Sequence, residues 1–498
     1  MNTCVKGMLL LMMLLALGHQ SDAQRLMTLE QSVQEALQNS PEIVRARLGL
    51  ERSRELLGAQ RASLKSQFRL NVTPLEYSKN RSYNEALQEW IDTETTSSSG
   101  DLSVAQPILW TDGTISLNNK FQWLDSESSL GGGSGAETGF NNSLNLRLDQ
   151  PIFTYNKRKL ELKEIEFDYE NAQLNYAIQA LNVEKQVTQY FYDLYQKQME
   201  LITSREEWEN RKKSFEIIKN KVDAGLTAKE EMMQAELDMM SSQSTVQNNE
   251  VQLENIKDNF KQMMGLPIEE EIMVIAEVSV LPVDVDLKEA SDYALTNRME
   301  IRQRQINIET GQFDIIKTNA TNEFKGNVAL SVGLFGNDEK FPDIYNNPNN
   351  NQDVSLSLEV PLWDWGEKKA RLKAAQAALK TQEYNLGDEK KNIIMGIRQV
   401  HRNLNNTLIQ IDIARKNEEN AHLTYEINLE KYKNGDLTSM DLNLFQNQLT
   451  EKKNALTGAL ISYKMELLNM KLQTLYDFEN KVSILPEVMN YESMFDNK

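Results

Sequence analysis

The chain has 498 residues, with 73 acidic against 54 basic side chains and a formal net charge of −19, a balance that repels phosphate and excludes nucleic acid as a partner. By length it could hold three domains, so internal repeats have to be sought before it is divided. Mean hydropathy is −0.55, and no later stretch is apolar enough for a membrane-spanning helix, so any entry into a bilayer falls to strands.

At the N-terminus, Lys6 precedes an apolar run from Met8 to Leu17, and Ser21-Asp22-Ala23 supplies small residues for a signal peptidase. Residues 1–23 are therefore expected to be a secretory signal; the apolar run is too short for a membrane anchor, which needs about 20 residues. The only cysteine, Cys4, lies before that run. A lipoprotein signal needs its cysteine just after the run, so no lipid anchor is expected. The mature chain then has no thiol for a disulfide or a metal site.

From Thr28 onward the chain is a duplication. Leu29 to Arg45 matches Leu287 to Gln303 without a gap, sharing Ala36 with Ala294, Leu37 with Leu295, Asn39 with Asn297 and Glu42-Ile43 with Glu300-Ile301. Each copy predicts one amphipathic helix. A strand follows, with Phe68, Leu70 and Val72 alternating with polar residues. Residues 80–139 form an insertion containing TETTSSSG and LGGGSG. It is expected to be a long polar loop with a hairpin made of Leu102–Trp110 and Thr114–Trp123.

The next strand has Leu144, Leu146 and Leu148 alternating with Asn145, Arg147 and Asp149. It ends at Pro151 and Phe153, where a basic helix starts. Gly225 lies 74 residues beyond Pro151, and in the second copy Gly435 lies 74 residues beyond Pro361. That shared spacing predicts two helices of one length, roughly 100 Å long at 1.5 Å per residue, each ending in a glycine turn. The first carries one seam of Val183, Val187, Tyr190, Leu194 and Leu201 and a second of Leu174, Ile178, Leu181, Thr188 and Tyr195. Two seams suit a helix with a neighbour on each side, as in a closed ring. A returning helix runs to about Met264, where Gly265-Leu266-Pro267 breaks it.

The linker from Pro267 to Asp286, rich in β-branched residues such as Ile272, Val274 and Ile275, is expected to pair with the tail Val482 to Pro486. The second copy repeats the plan. Val328, Leu330, Val332 and Leu334 alternate with small residues, and residues 336–352 contain NNPNNNQ. Val354, Leu356, Leu358 and Val360 alternate with Ser355, Ser357 and Glu359, and Pro361, Trp363, Trp365 and Gly366 lead into a long helix. The division is then a signal (1–23), a first repeat (24–265), a linker (266–286), a second repeat (287–476) and a tail (477–498).

Four such strands cannot close a barrel around water, since about eight give only a filled interior, so closure needs several copies of the chain. Long polar loops at one end of the barrel and short connections at the other match outer-membrane barrels.

The paired signatures ALQNSPEI and ALTNRMEI, the junctions QPIFTYNKRK and VPLWDWGEKKARLKAAQAAL, the turns AGLTAKEEMMQAEL and NGDLTSMDLNLFQNQL, and the helix ending FKQMMGLP together resemble the TolC-like outer-membrane efflux proteins over nearly the whole mature chain. The resemblance implies a mainly α fold with a membrane β-barrel. Three copies would form a twelve-strand barrel continuous with a twelve-helix periplasmic tube, girdled by a small equatorial domain. The insertions would be extracellular loops, and the tip at Gly225, Leu226, Thr227, Gly435, Leu437 and Thr438 would dock a periplasmic adaptor. Counting from Gly435, Asp441 stands at the first of the family's two entrance aspartates and Leu444 at the second; Glu230 is the nearest equivalent in the first repeat. The other reading of Asp441 is a solvated carboxylate at a helix start.

Met232, Met233, Met239, Met240, Met263 and Met264 could form a soft-metal track but read as core packing. His401 and His422 lie about 32 Å apart by helical rise, too far to share a metal. No catalytic constellation, nucleotide loop or HExxH is present, so neither enzymatic activity nor a cofactor is expected. Trp363 and Trp365 could anchor at a lipid interface or pack at the junction. The reading is a passive exit duct in the outer membrane of a Gram-negative bacterium, working with an adaptor and an inner-membrane pump. A type I protein-secretion duct and a soluble periplasmic helical scaffold are the alternatives; a hydrolase is a distant third.

Overall fold

Side-chain caps and special backbone angles set where each element begins and ends. In the computed structural model, which describes residues 25–484 apart from 86–87, 131–132 and 347, helix α1 (Leu29–Asn39) starts at Thr28 with a reciprocal cap. Thr28 Oγ1 accepts the Gln31 N–H at 3.3 Å and the Gln31 side chain accepts the Thr28 N–H at 3.1 Å, which satisfies two otherwise unpaired donors. The helix stops at Ser40, held extended (φ −53°, ψ 133°) because Pro41 crowds the residue before it. Helix α2 (Pro41–Ser63) follows.

In the second repeat, Asp286 accepts the N–H groups of Lys288 and Glu289 at 2.7 and 3.0 Å to start α5 (Leu287–Asn297). Arg298 is extended (φ −67°, ψ 125°) before α6 (Met299–Asn319). The single helices expected over Leu29–Arg45 and Leu287–Gln303 are therefore each two helices. No proline breaks the second; there the Arg298 guanidinium grips Glu300 at 2.5 Å.

The long helices are α3 (Lys157–Asp223, 67 residues) and α7 (Glu367–Asn434, 68 residues), near-equal as the glycine spacing required. Helices α4 (Lys229–Met264) and α8 (Ser439–Thr474) return from them, 36 residues each.

The chain divides into two compact units, each built from both repeats. The first holds residues 25–50, 173–302 and 387–484. In its core, Val183, Val187, Phe191, Leu194 and Leu201 of α3 meet Val246, Leu253 and Phe260 of α4 and Ile461 of α8. Full burial of one such side chain contributes about 1.5–3 kcal/mol. The expected first seam is thus largely buried, and Leu174 and Thr188 of the second seam are also buried.

Strand β1 (Arg25–Met27) pairs in parallel with β6 (Ile272–Val274), and β9 (Tyr476–Asp477) pairs with β10 (Val482–Ser483). The linker therefore pairs with Arg25–Met27 rather than with the tail. Ile272, Val274 and Met27 share the core, whereas Val482 is exposed. Pro486, the end of the expected tail strand, lies outside the described residues.

The second unit holds residues 51–172 and 303–386. Its sheet has six antiparallel strands in the order β2 (Gln67–Asn84), β3 (Glu89–Pro107), β4 (Thr114–Leu130), β5 (Gly133–Ile152), β7 (Lys325–Asp338) and β8 (Asn349–Glu359). A short 3₁₀ turn, Phe341–Tyr345, joins the last two.

Two expectations change here. The insertion is not a loop: TETTSSSG lies inside β3, paired throughout to β4 and, except at Ser98 where the ladder bulges between Thr73 and Glu76, to β2. Its polarity reads as loop, yet the strand is laddered on both sides with a single bulge towards β2, and threonine suits the pleat. The expected hairpin is real but longer, and it belongs to the main sheet. The count is accordingly six strands per chain, where twelve from three copies would need four.

Candidate functional site

A strand shows alternate side chains to opposite faces, so the register tells which residues share a face. Leu70 lies opposite Leu102, Val104 opposite Leu117, Leu117 opposite Leu146, Leu146 opposite Val332, and Leu330 opposite Val354. One face is thus apolar across all six strands. Its outer members are strongly exposed in the single chain: Phe68 is 75%, Leu70 66% and Val354 80% exposed. The other face carries Arg69, Asn71, Asp101, Ser103, Asn118, Lys120, Asn145, Arg147, Ser331 and Ser355. A sheet with one apolar and one polar face divides lipid from water.

The apolar band ends in aromatic residues and then charge. Towards the tips of β2 to β5, Phe121, Phe140 and Phe341 cluster with ring centroids 5.4–6.0 Å apart. Beyond them, on the same face, Lys79 pairs with Glu94 and Arg81 with Asp92. At the other end stand Trp110, Phe153, Trp363 and Trp365, with Trp365 90% exposed. Aromatics at both margins of an apolar band form the girdle of a membrane barrel.

The strand-to-helix junctions sit at this second margin. Pro151 still pairs with Asn327 at the end of β5. Phe153 (φ 62°) then turns left-handed and packs on Phe324 at 5.3 Å. In the second repeat Pro361 ends the ladder, and Trp365 (φ 53°) and Gly366 (φ 86°) are left-handed in succession. Trp363 and Trp365 meet edge to face at 5.5 Å. Asp364 starts α7 by accepting the N–H groups of Gly366 and Lys368 at 2.9 and 3.1 Å. In the first repeat a residue from the inserted hairpin does this: Asp112 accepts the N–H groups of Lys157 and Arg158 at 3.2 Å, and Arg158 donates back to Gly113 O at 2.8 Å.

In the first unit, α3 and α7 each end in a glycine with positive φ, 72° at Gly225 and 89° at Gly435. Gly225 and Leu226 donate to Val222 O and Lys221 O, and Gly435 and Asp436 donate to Tyr432 O and Lys431 O. Both turns are therefore Schellman caps, which need a left-handed residue and favour glycine.

The two turns restart differently. Thr438 Oγ1 accepts the Asp441 N–H at 3.2 Å and donates to its carboxylate at 2.7 Å, whereas Ala228 begins α4 without a side-chain cap and Thr227 is only half-buried. Leu437 packs with Ile218, Ala235, Tyr432 and Leu442 in a small core, where burial pushes the Tyr432 hydroxyl up to about 12. Leu226 and Met440 are 76% and 77% exposed.

Asp441 and Glu230 lie in the first turns of α8 and α4, exposed, and Leu444 is exposed on the next turn. Asp441 is thus an exposed carboxylate at a helix start, one of its oxygens accepting from the Thr438 hydroxyl.

Above the tip, a polar network was not singled out in the sequence. Arg211 Nη2 bonds Glu207 and Asn447, each at 2.6 Å, and Arg211 Nη1 approaches Asp238 at 4.0 Å. Asn443 bonds Asp238, and Lys453 pairs with Glu206 at 2.9 Å. Its sequence signal, Glu207 four residues before Arg211, is common to many exposed helices. His401 Nε2 lies 3.1 Å from Val285 O and His422 lies near Glu426. Of the methionines expected to pack in the core, Met264 is buried, whereas Met233 and Met240 are exposed.

The outer membrane efflux protein family model matches residues 32–266 and 293–471. No curated protein matches. Among solved structures, the chain is similar to the Campylobacter jejuni CmeC outer membrane channel (14% identity, 94% of this chain and 89% of that one, TM-score 0.70). It is also similar to the Vibrio cholerae outer membrane protein VceC (13%, 90% and 95%, 0.66) and to the open state of the Neisseria gonorrhoeae MtrE outer membrane channel (13%, 90% and 88%, 0.61). The match over most of its length, on a fold of a two-faced sheet and long paired helices, shows that the chain belongs to the outer membrane efflux protein family and is an exit duct for efflux across that membrane.

Proposed function

We propose that three copies of the chain form one passive duct that receives substrate from an inner-membrane pump through a periplasmic adaptor. The observation that supports this is the pair of open edges of the sheet, β2 and β8. In lipid each unpaired backbone group costs several kcal/mol, and six strands are too few to close on themselves around water. Edge β2 of one copy pairing with edge β8 of the next removes every open edge. In a closed trimer each unit would supply four helices per copy: α3, α4, α7 and α8 in the first, and α2, α3, α6 and α7 in the second.

The glycine turns, with Leu226 and Met440 exposed, form the surface that docks the adaptor. Asp441 and Glu230 place carboxylates at the entrance, with Leu444 one helical turn beyond Asp441 adding none. Energy comes from the pump, so the duct gates and conducts. The test is affinity capture of the full-length protein from detergent-solubilised membranes after reversible cross-linking. An adaptor and an inner-membrane pump are expected beside it. Recovery with a secreted polypeptide and its dedicated secretion ATPase, and with no pump, would contradict the efflux assignment.

A further inference from the structure

The structure holds more strands than the duct needs. Hairpin β3–β4 enters the sheet between β2 and β5, and it keeps the antiparallel alternation because it adds an even number of strands. A decoration outside the membrane would be polar on both faces. This hairpin continues the two-faced pattern of its neighbours: Leu102, Val104, Ile115, Leu117 and Phe121 lie on the apolar face, and Asp101, Ser103, Ser116, Asn118 and Lys120 on the polar one. Its Ile108–Gly113 turn is tied to the helical margin of the sheet. Asp112 caps α3, Gln150 Nε2 donates to Thr111 O at 2.7 Å, and Asn156 Nδ2 donates to Leu109 O at 2.6 Å. The Arg158–Asp112 pair is largely shielded there, its side chains 28% and 12% exposed. The hairpin therefore runs the full depth of the wall and is held at the far side.

We propose that β3 and β4 are transmembrane strands, so that the closed trimer carries eighteen strands and a lumen wider than twelve would give. This rests on the trimeric reading above. Barrel diameter grows roughly linearly with strand number, so the lumen is about 1.5-fold wider than with twelve strands, and barrels of 16–18 strands enclose an open aqueous channel. The added lining is polar and carries both charges, Asp101 and Lys120. The membrane barrel thus admits solutes that twelve strands would exclude, and size selection falls to the helical entrance.

The test is single-cysteine labelling of the full-length protein, in a Cys4→Ser background, in outer-membrane vesicles with a charged, membrane-impermeant maleimide. Sites in β3 (102 to 104) and β4 (115 to 118) are compared with controls in β5 (144 to 147) and β7 (329 to 332). The proposal expects Ser103→Cys, Ser116→Cys and Asn118→Cys to label at least fivefold faster than Leu102→Cys, Val104→Cys and Leu117→Cys, in phase with the controls. Equal labelling of both faces in β3 and β4, with alternation kept in the controls, overturns the eighteen-strand wall and leaves the trimeric duct standing. Equal labelling in the controls as well overturns both. A particle image of the same detergent-extracted protein counts strands directly: eighteen supports the proposal, and twelve with the hairpin outside the wall overturns it.

Discussion

Gly435 shows how much one backbone angle decides at the residue scale. Its φ of 89° lies where a Cβ costs roughly 1–2 kcal/mol, although the space around it is open. Gly435→Ala is therefore expected to loosen the tip through backbone strain alone. Amide exchange in residues 428–440 should rise about fivefold or more while the core around Phe191 keeps its protection; unchanged exchange at the tip would refute the strain argument.

Tyr432 supplies a pH test in the same small core. Its folded pKa is raised by burial to about 12, above the ordinary value near 10. The sign follows: the stability held by the neutral phenol is fully present below pH 10 and is lost as pH rises through the folded value. Alkaline titration followed by tyrosinate absorbance should show a late component near pH 12 shared by Tyr432 and Tyr192, also pushed to about 12. Tyr432→Phe should reduce that component.

At the scale of elements, the sequence was most legible where two periods meet. The stretch from Val354 to Val360 alternates, Pro361 ends the ladder, and the helix begins at Glu367. That boundary was visible because proline and glycine act locally. The insertion was misread because Ser, Thr and Gly dominate TETTSSSG on both faces of β3, and a strand segment with no apolar face looks like a loop in a single sequence. The apolar face of the insertion was sparse but present at Leu102 and Val104, and only the register with β2 and β4 placed it. The breaks at Ser40 and Arg298 were masked by helical composition on both sides. The Arg211 network had only the Glu207–Arg211 spacing as a local signature, since Asn447 lies 236 residues away in the chain. The tip glycines were legible from their shared spacing.

The two faces of β8 make a direct comparison. Leu356→Lys places a charge on the lipid face and is expected to cost about 2–4 kcal/mol if near the bilayer midplane, whereas Ser355→Lys on the water face should be close to neutral. Folding yield into bilayers, read by resistance to sodium dodecyl sulfate before heating, should fall for Leu356→Lys alone. Equal losses would contradict the assignment of faces.

At the scale of the whole molecule, one chain is an incomplete object. Its sheet has an apolar face and two open edges, and its long helix α7 leaves Ile409, Ile413, Leu423 and Ile427 exposed. Both features require neighbours, and a copy of the same chain offers complementary edges. A soluble scaffold would leave the exposed Phe68, Leu70 and Val354 in water, a patch that favours aggregation. Closure by three copies satisfies the sheet edges, the lipid face and the helix seams together.

The most direct test of this closure is electron microscopy of the full-length protein extracted in detergent. A three-fold particle in which β2 of each copy pairs with β8 of the next, forming a closed wall continuous with a ring of helices, is the expected result. A monomer or dimer whose β2 and β8 edges stay unpaired would contradict it.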